Sequence, residues 1–391
     1  METLRLAFVA DRVAPYYQGG YERHLKSLSS ELSKEHSVTV FSSVPVNRGS
    51  QENVRLVRIA PTWSYTRKKG GHSLTQAAVF AASSALRLPK LNSFDFVDVL
   101  GIPYLHILPF RIRQAFDRLR WGVTIWEAWH DYAYLSGVWG PLSSAAFRWA
   151  IRTATEGRHV VIVGSKRTAK ALQDFYKVCP ARIHLSPPGV VFGSPPRADM
   201  IATRSDCIFV GRLEAYKRVS DLLDAVYLLR KRGVRVTVEI VGEGASGPEL
   251  RERTRLLGLE GQVRFHGFVS EEAKRNLSSA SRVFVMPSER EGFSIATLEG
   301  IAAGLCPLVA RPKRDEEFGV GDLIEGFERE LAYPVGSVDA LASALAKLLG
   351  NPNRTAELAR MVRSHAMRFD IARLATNYVQ MIRNDASEGG A

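Results

Sequence analysis

Arg282-Val-Phe-Val-Met-Pro287-Ser-Glu-Arg-Glu291-Gly-Phe-Ser294-Ile-Ala-Thr-Leu-Glu299-Gly-Ile-Ala-Ala-Gly304 is the stretch on which the fold turns. Its opening run is apolar without alternation and stops at Pro287, the pattern of a parallel strand covered on both faces. Ser294 then reads as the cap of a helix running through Gly304. Glu291 falls in the loop and Glu299 about one turn inside the helix, with seven residues between them. A helix start exposes unbonded N–H groups and the positive end of its dipole, so the amides near Gly292, Phe293 and Ser294 suit an anionic or hydroxyl oxygen. An ionised carboxylate accepts only, and so takes both hydroxyls of a neighbouring diol. Paired glutamates at this distance also face solvent on many helices, and the pair gains weight only from the turns around it.

Upstream, the strand-like Ile208-Phe-Val runs out at Gly211, and Arg212 and Lys217 follow before a helix begins near Arg218. In open parallel sheets ligands bind at the carboxyl ends of strands, where an arginine fork and a lysine point charge neutralise a diphosphate. Val236-Thr-Val-Glu-Ile-Val-Gly242-Glu-Gly244 and Val263-Arg-Phe-His266-Gly267 repeat the rhythm, with helices from about Pro248 and after Ser270-Glu271-Glu272. Strand and helix alternate as in a doubly wound α/β sheet.

At 391 residues the chain exceeds a single core, so two domains are expected. Ser186-Pro-Pro-Gly-Val-Val-Phe-Gly-Ser-Pro-Pro reads as the hinge, giving domains 1–195 and 196–366 with a helical stretch from about 367 onward. Strands in the first half are expected near 4–10, 37–42, 53–59, 94–100, 121–127 and 158–163. Cys179, Cys207 and Cys306 are scattered, without metal-site spacing, and fit a reducing cytosol. The apolar start is too short for a signal peptide, and no run has the length of a membrane span.

Charge is uneven. Residues 1–195 hold 25 Lys and Arg against 13 Asp and Glu, the remainder 28 against 27, so the first domain is the one drawn to phosphate-bearing partners or an anionic membrane surface. Its cations include Arg67-Lys68-Lys69 and the segment Pro109–Arg120, where Ile112, Phe116 and Leu119 share a helical face. Such a helix can lie in a membrane interface or pack on the sheet. Five of six tryptophans, Trp121, Trp126, Trp129, Trp139 and Trp149, surround His130. They suit sugar stacking or a membrane interface, with core packing expected for Trp126 and Trp149. His130 ends a strand on the ligand-binding edge beside Asp131, with Glu127, Glu22 and His24 as further acid or base candidates; His24 and Glu22, on a first helix, face solvent or a cleft rim.

Together these residues resemble the family 4 glycosyltransferases, retaining enzymes of the GT-B fold with two Rossmann-like domains facing a cleft. The likeness runs through Gln18-Gly-Gly-Tyr-Glu-Arg-His24, Trp129-His130-Asp131, Pro188-Gly189-Val190, Gly211-Arg212 with Lys217, Gly242-Glu-Gly244, His266-Gly267 and Glu291 to Glu299. It implies an acceptor-binding first domain and a donor-binding second one, with the last helix packed back on the first. Arg212 and Lys217 then meet the donor diphosphate and Glu291 the transferred sugar with the amides of Gly292, Phe293 and Ser294. Glu299 meets the ribose, with Gly242, His266 and Gly267 also on the donor side. Gly19, Gly20 and His24 lie toward phosphates and acceptor, and His130 beside the reacting carbon.

The activity so implied is retaining hexose transfer from a nucleotide-sugar donor to a glycan or lipid-linked hydroxyl at the cytosolic membrane face. No cofactor is expected, and with no Asp-x-Asp in the chain no metal either. A GT-B epimerase or phosphorylase is the alternative. A dehydrogenase is disfavoured by the missing Gly-x-Gly-x-x-Gly turn, and without a recognition module no nucleic acid partner is expected.

Overall fold

A computed structural model describes residues 2–14, 19–43, 53–61, 74–102, 104–114, 119–128, 140–193, 205–315 and 318–388. The chain divides into two compact units, Met1–Gly189 with Ile371–Ala391, and Val190–Asp370. His130, Asp131, Trp129, Trp139, Phe116, Gln18 and the Arg67–Lys69 triplet lie outside the described residues.

In chain order the first unit runs β1 (Arg5–Val9), α1 (Gly20–Leu32), β2 (Ser37–Ser42), β3 (Val54–Arg58), α2 (Leu74–Leu91), β4 (Phe96–Leu100), α3 (Ile107–Gln114), β5 (Trp121–Ile125), α4 (Gly140–Thr155), β6 (Val160–Val163), α5 (Lys166–Tyr176) and β7 (Ile183–Leu185). The second runs β8 (Ser205–Val210), α6 (Val219–Lys231), β9 (Val238–Val241), α7 (Gly247–Leu256), β10 (Val263–Gly267), α8 (Glu271–Ser279), β11 (Ser281–Met286), α9 (Ile295–Ala302), β12 (Cys306–Arg311), α10 (Glu328–Leu331), β13 (Ala332–Pro334), α11 (Val338–Gly350) and α12 (Pro352–Ala366). The last helix, α13 (Ile371–Glu388), belongs to the first unit.

Both sheets are parallel. The first has the order β3-β2-β1-β4-β5-β6-β7, the second β10-β9-β8-β11-β12-β13. In each, the chain starts mid-sheet, winds outward, then reverses, leaving a switch point between β1 and β4 and another between β8 and β11. The strands form because their apolar runs are buried on both faces, as in β4, β5, β6 and β9, where every residue is buried. In the first unit Leu25 and Leu28 of α1 and Tyr378 and Ile382 of α13 cover one sheet face. Phe80 of α2, Phe110 of α3, Ile151 of α4 and Leu172 of α5 cover the other. Serine caps start several helices: Ser270, as the sequence suggests, and also Ser165 and Ser337 each accept an amide hydrogen bond from the residue three ahead.

Three expectations are corrected. Helix α3 ends at Gln114, and the residues placed on one apolar face diverge, with Ile112 66% exposed and Leu119 9% exposed. Trp149 is 58% exposed rather than in the core. His24 and its ring are buried: it is 8% exposed and packs on Trp126 at 5.1 Å between centroids.

Candidate functional site

The carboxyl ends of β8 and β11, adjacent strands at the second unit's switch point, each release a turn that carries candidate residues. After β8 the chain passes Gly211 and Arg212, makes a short 3-10 turn over Ala215–Lys217, and enters α6 through Arg218. Arg218 adopts a left-handed φ of 49° and is held by Asp221 at 2.8 Å. After β11 the chain passes Pro287 and Glu291 before α9. The two turns are stitched together: the Glu289 amide donates to the Tyr216 carbonyl at 2.8 Å, and Lys217 Nζ donates to Glu291 Oε1 at 2.5 Å. Lys217 and Glu291 side chains are only 12% and 11% exposed. Burial pulls the lysine's pKa down, but the Glu291 carboxylate beside it outweighs that, leaving it above its ordinary value.

The backbone of Glu291 is fixed from the far side by a parallel bridge to Phe318 and a 2.8 Å hydrogen bond from the Gly319 amide. Only glycine fits at 319, since a Cβ there would lie 1.7 Å from the Gly292 carbonyl oxygen. Arg212 is exposed and donates to the Tyr216 hydroxyl at 3.2 Å. Cation, aromatic and carboxylate thus converge at one sheet edge.

Ser294 precedes α9 with φ 73°, a left-handed conformation uncommon outside glycine. Contrary to the cap expected, its side chain bonds no backbone amide; its hydroxyl pairs with that of Thr297 at 2.8 Å. The first bond within the helix is Leu298 N–H to the Ser294 carbonyl, so the amides of Ile295, Ala296 and Thr297 have no carbonyl partner inside the helix. Gly292, Phe293 and Ser294 are buried, and Phe293 packs edge-on against Phe369 at 5.2 Å. Strained backbone and open donors beside a carboxylate are what a site for an anion and a hydroxyl needs.

Glu299, on α9, is bound by Lys274 of α8 at 2.8 Å, and the same ammonium reaches Glu271 at 2.7 Å. Lys274 was not singled out in the sequence. Its spacing from Glu271 signals a local helix pair, and only the packing of α8 brings it to Glu299. The Lys274 side chain is 8% exposed and that of Glu299 26% exposed, so the lysine holds the carboxylate from beneath.

Other expected positions have structural duties. Gly242 has φ 130°, and a Cβ on it would meet the Gly211 carbonyl at 2.0 Å. Its glycine identity is therefore required for the β9 turn to close on the β8 turn. His266 is the extra residue of a bulge in the β10–β9 ladder and bonds Glu239 at 2.6 Å, a buried carboxylate that also takes Ser205 and Arg264. Gly267 supplies the left-handed φ of 64° that ends the bulge.

In the first unit Gly19 and Gly20 open α1, where Glu22 curls back so that its Oε2 lies 2.2 Å from the Cβ position of Gly19. His24 receives the Gly189 amide on Nδ1 at 3.4 Å, which joins two segments 165 residues apart. Burial lowers its pKa to about 4, so at neutral pH the ring is uncharged. Among the described residues, no group of three His, Cys, Asp or Glu is gathered as a metal site would need.

Two doubly wound parallel sheets, the second with a switch point whose turns carry cations, two glutamates and the amides of a helix start, define a Rossmann-like class of α/β protein. Family comparison makes this specific. The Glycosyltransferase Family 4 pattern matches residues 18–192 and the pattern of Glycosyl transferases group 1 matches residues 200–366. The chain belongs to this glycosyltransferase family. The D-inositol 3-phosphate glycosyltransferase of Rhodococcus erythropolis is 28% identical over 69% of this chain and 64% of its own length. The alpha-D-kanosaminyltransferase of Streptomyces kanamyceticus is 30% identical over 37% and 36%. The chain thus spans less than two thirds of these relatives' length. Among solved structures, sucrose-phosphate synthase from Thermosynechococcus elongatus superposes with a TM-score of 0.79 at 17% identity, over 98% of this chain and all of that one. Anabaena HepE in complex with UDP-glucose gives 0.71 at 18%, over 98% and 100%. The fold is GT-B.

Proposed function

We propose that this protein is a retaining glycosyltransferase that moves a hexose from a nucleoside-diphosphate sugar to a hydroxyl of a glycan or lipid-linked acceptor at the cytosolic membrane face. The observation that carries the reading is the largely enclosed Lys217–Glu291 pair, 12% and 11% exposed, bridging the carboxyl ends of β8 and β11. Donor phosphates arriving there meet Lys217 and Arg212, while Glu291 is released to accept sugar hydroxyls. The amides that open α9 add donors for a phosphate oxygen, and Glu299, held by Lys274, accepts the ribose diol. That Anabaena HepE was crystallised with UDP-glucose supports a nucleotide-sugar donor for a chain of the same fold.

The transfer breaks the bond from the anomeric carbon to the diphosphate and forms one to the acceptor oxygen on the same face of the ring. The acceptor proton passes to the departing phosphate oxygen. Charge building on the diphosphate is stabilised by preorganised cations, Arg212 as a fork and Lys217 as a point charge, in a role that needs no metal ion. Glu291 is not the nucleophile in this scheme, since its place is beside the sugar hydroxyls.

The test replaces Arg212 with Ala, Lys217 with Ala and Glu291 with Gln, and measures donor turnover after folding is confirmed by circular dichroism. Each should fall by roughly a hundredfold or more. Unchanged turnover in all three refutes the reading. Product analysis separates transfer from epimerisation or phosphorolysis.

A further inference from the structure

Helices α2, α3 and α4 lie on one face of the first unit's sheet, packing Phe80, Phe110 and Ile151 inward. None of the three contains an aspartate or a glutamate, yet together they carry Arg87, Lys90, Arg111, Arg113, Arg148 and Arg152. The unit's other helices mix signs, α5 on the same face with Asp174, α1 with Glu22 and Glu31, and α13 with Asp385 and Glu388. Outward from the acid-free trio stand, among the described residues, Leu86, Ile112 and Trp149, one large exposed apolar side chain on each helix, 81%, 66% and 58% exposed. On α4, Ala145, Trp149 and Arg152 recur at helical spacing and all are exposed. An acid sits just past the end of α4, Glu156, which pairs with Arg111 at 3.3 Å and so ties α3 to α4.

We propose that this three-helix face docks on an anionic lipid bilayer. Leucine and isoleucine enter the acyl boundary, Trp149 seats at headgroup level, and the surrounding cations meet anionic headgroups. Charge selects this occupant. A nucleic acid would use the cations but gives Leu86 and Ile112 nothing to bury against, and a second copy of the face would set cation against cation. The surface serves the lipid-linked acceptor of the proposed transfer and rests on that reading for its purpose, while its binding is measured without donor or acceptor.

The experiment co-sediments the full chain with phosphatidylcholine vesicles, with and without roughly one phosphatidylglycerol in three. The protein should bind the mixed vesicles and not the neutral ones. Ile112→Ser with Trp149→Ser should weaken binding on the order of tenfold. Lys90→Gln with Arg152→Gln should weaken it about twentyfold and flatten its salt dependence. Thermal stabilisation by nucleotide sugars should be unchanged in both pairs, which separates failure of this surface from failure of the donor site. Equal binding to both vesicle types, or unaltered binding by both variant pairs, overturns the proposal. So does a dimer in light scattering that the Ile112 and Trp149 pair abolishes, or salt-steep binding to single- or double-stranded nucleic acid that the Lys90 and Arg152 pair abolishes.

Discussion

Lys217 and Glu291 satisfy each other when no donor is bound, and that has a consequence for product release. A nucleoside diphosphate without its sugar must draw Lys217 away from Glu291 and offers the carboxylate nothing in return, whereas the full donor offers sugar hydroxyls. Glu291→Gln should therefore bind the free nucleoside diphosphate roughly tenfold more tightly even as turnover drops. Calorimetric titration reads this, and equal or weaker affinity in the variant would show that the pair does not compete with phosphate. Lys274 has a similar logic one helix away. Lys274→Met leaves Glu299 without its anchor, so the donor KM should rise on the order of tenfold with kcat little changed, and Lys274→Arg should recover part of the loss. If KM stays constant while only the melting temperature falls, the lysine merely supports the fold.

At the scale of elements, the turns at the carboxyl edge depend on glycines that let backbones touch. Gly319→Ala should destabilise the second unit by at least about 2 kcal/mol, because the rigid Gly292 carbonyl cannot retreat, and urea denaturation would register it. A variant as stable as the parent would mean that the bridge to Glu291 is dispensable. This contact was not legible in the sequence, since Gly319 and Gly292 meet only through a long-range bridge. Strands such as Ser281–Met286 and Val160–Val163 were legible because unbroken apolar runs between turn residues have few other meanings. β7, β12 and β13 were not read from the sequence: β7 and β13 are only three residues long, and Pro307 and Pro334 stand inside β12 and β13. The Arg212, Lys217 and Glu291 cluster was foreseeable because strand ends in alternating α/β chains share one edge. Lys274 was not, because its partner lies 25 residues on.

For the whole molecule, buried titratable groups in the first unit set its response to acid. Burial lowers His24 to about 4 and His159 to about 3, both from 6.5. The unfolded chain then binds more protons below pH 6.5, so the stability these rings contribute is complete above 6.5 and is lost as pH falls toward their folded values. Asp98 works the other way: burial raises it to about 6, against the hydrogen bonds from Thr124 and Tyr378, so its cost is greatest above pH 6 and eases toward 4. Between pH 7 and 5 the two histidines together lose just under ~4 kcal/mol and Asp98 returns somewhat over ~1, a net loss of about 2 kcal/mol. All tryptophans lie within residues 63–149, so their fluorescence in urea reads this unit alone. His24→Gln should shrink the loss by about 2 kcal/mol; a pH response identical to the parent's would remove His24 from the account.

The central claim, that the edge of β8 and β11 grips a nucleoside-diphosphate sugar through side chains, is met most directly by calorimetric titration of the chain with UDP-hexoses and their other nucleoside-diphosphate counterparts in the presence of EDTA. Saturable binding of at least one donor is expected, weakened at least about tenfold by Lys217→Ala and by Arg212→Ala in folded protein. No binding by any donor, or binding that both variants leave intact, would contradict it.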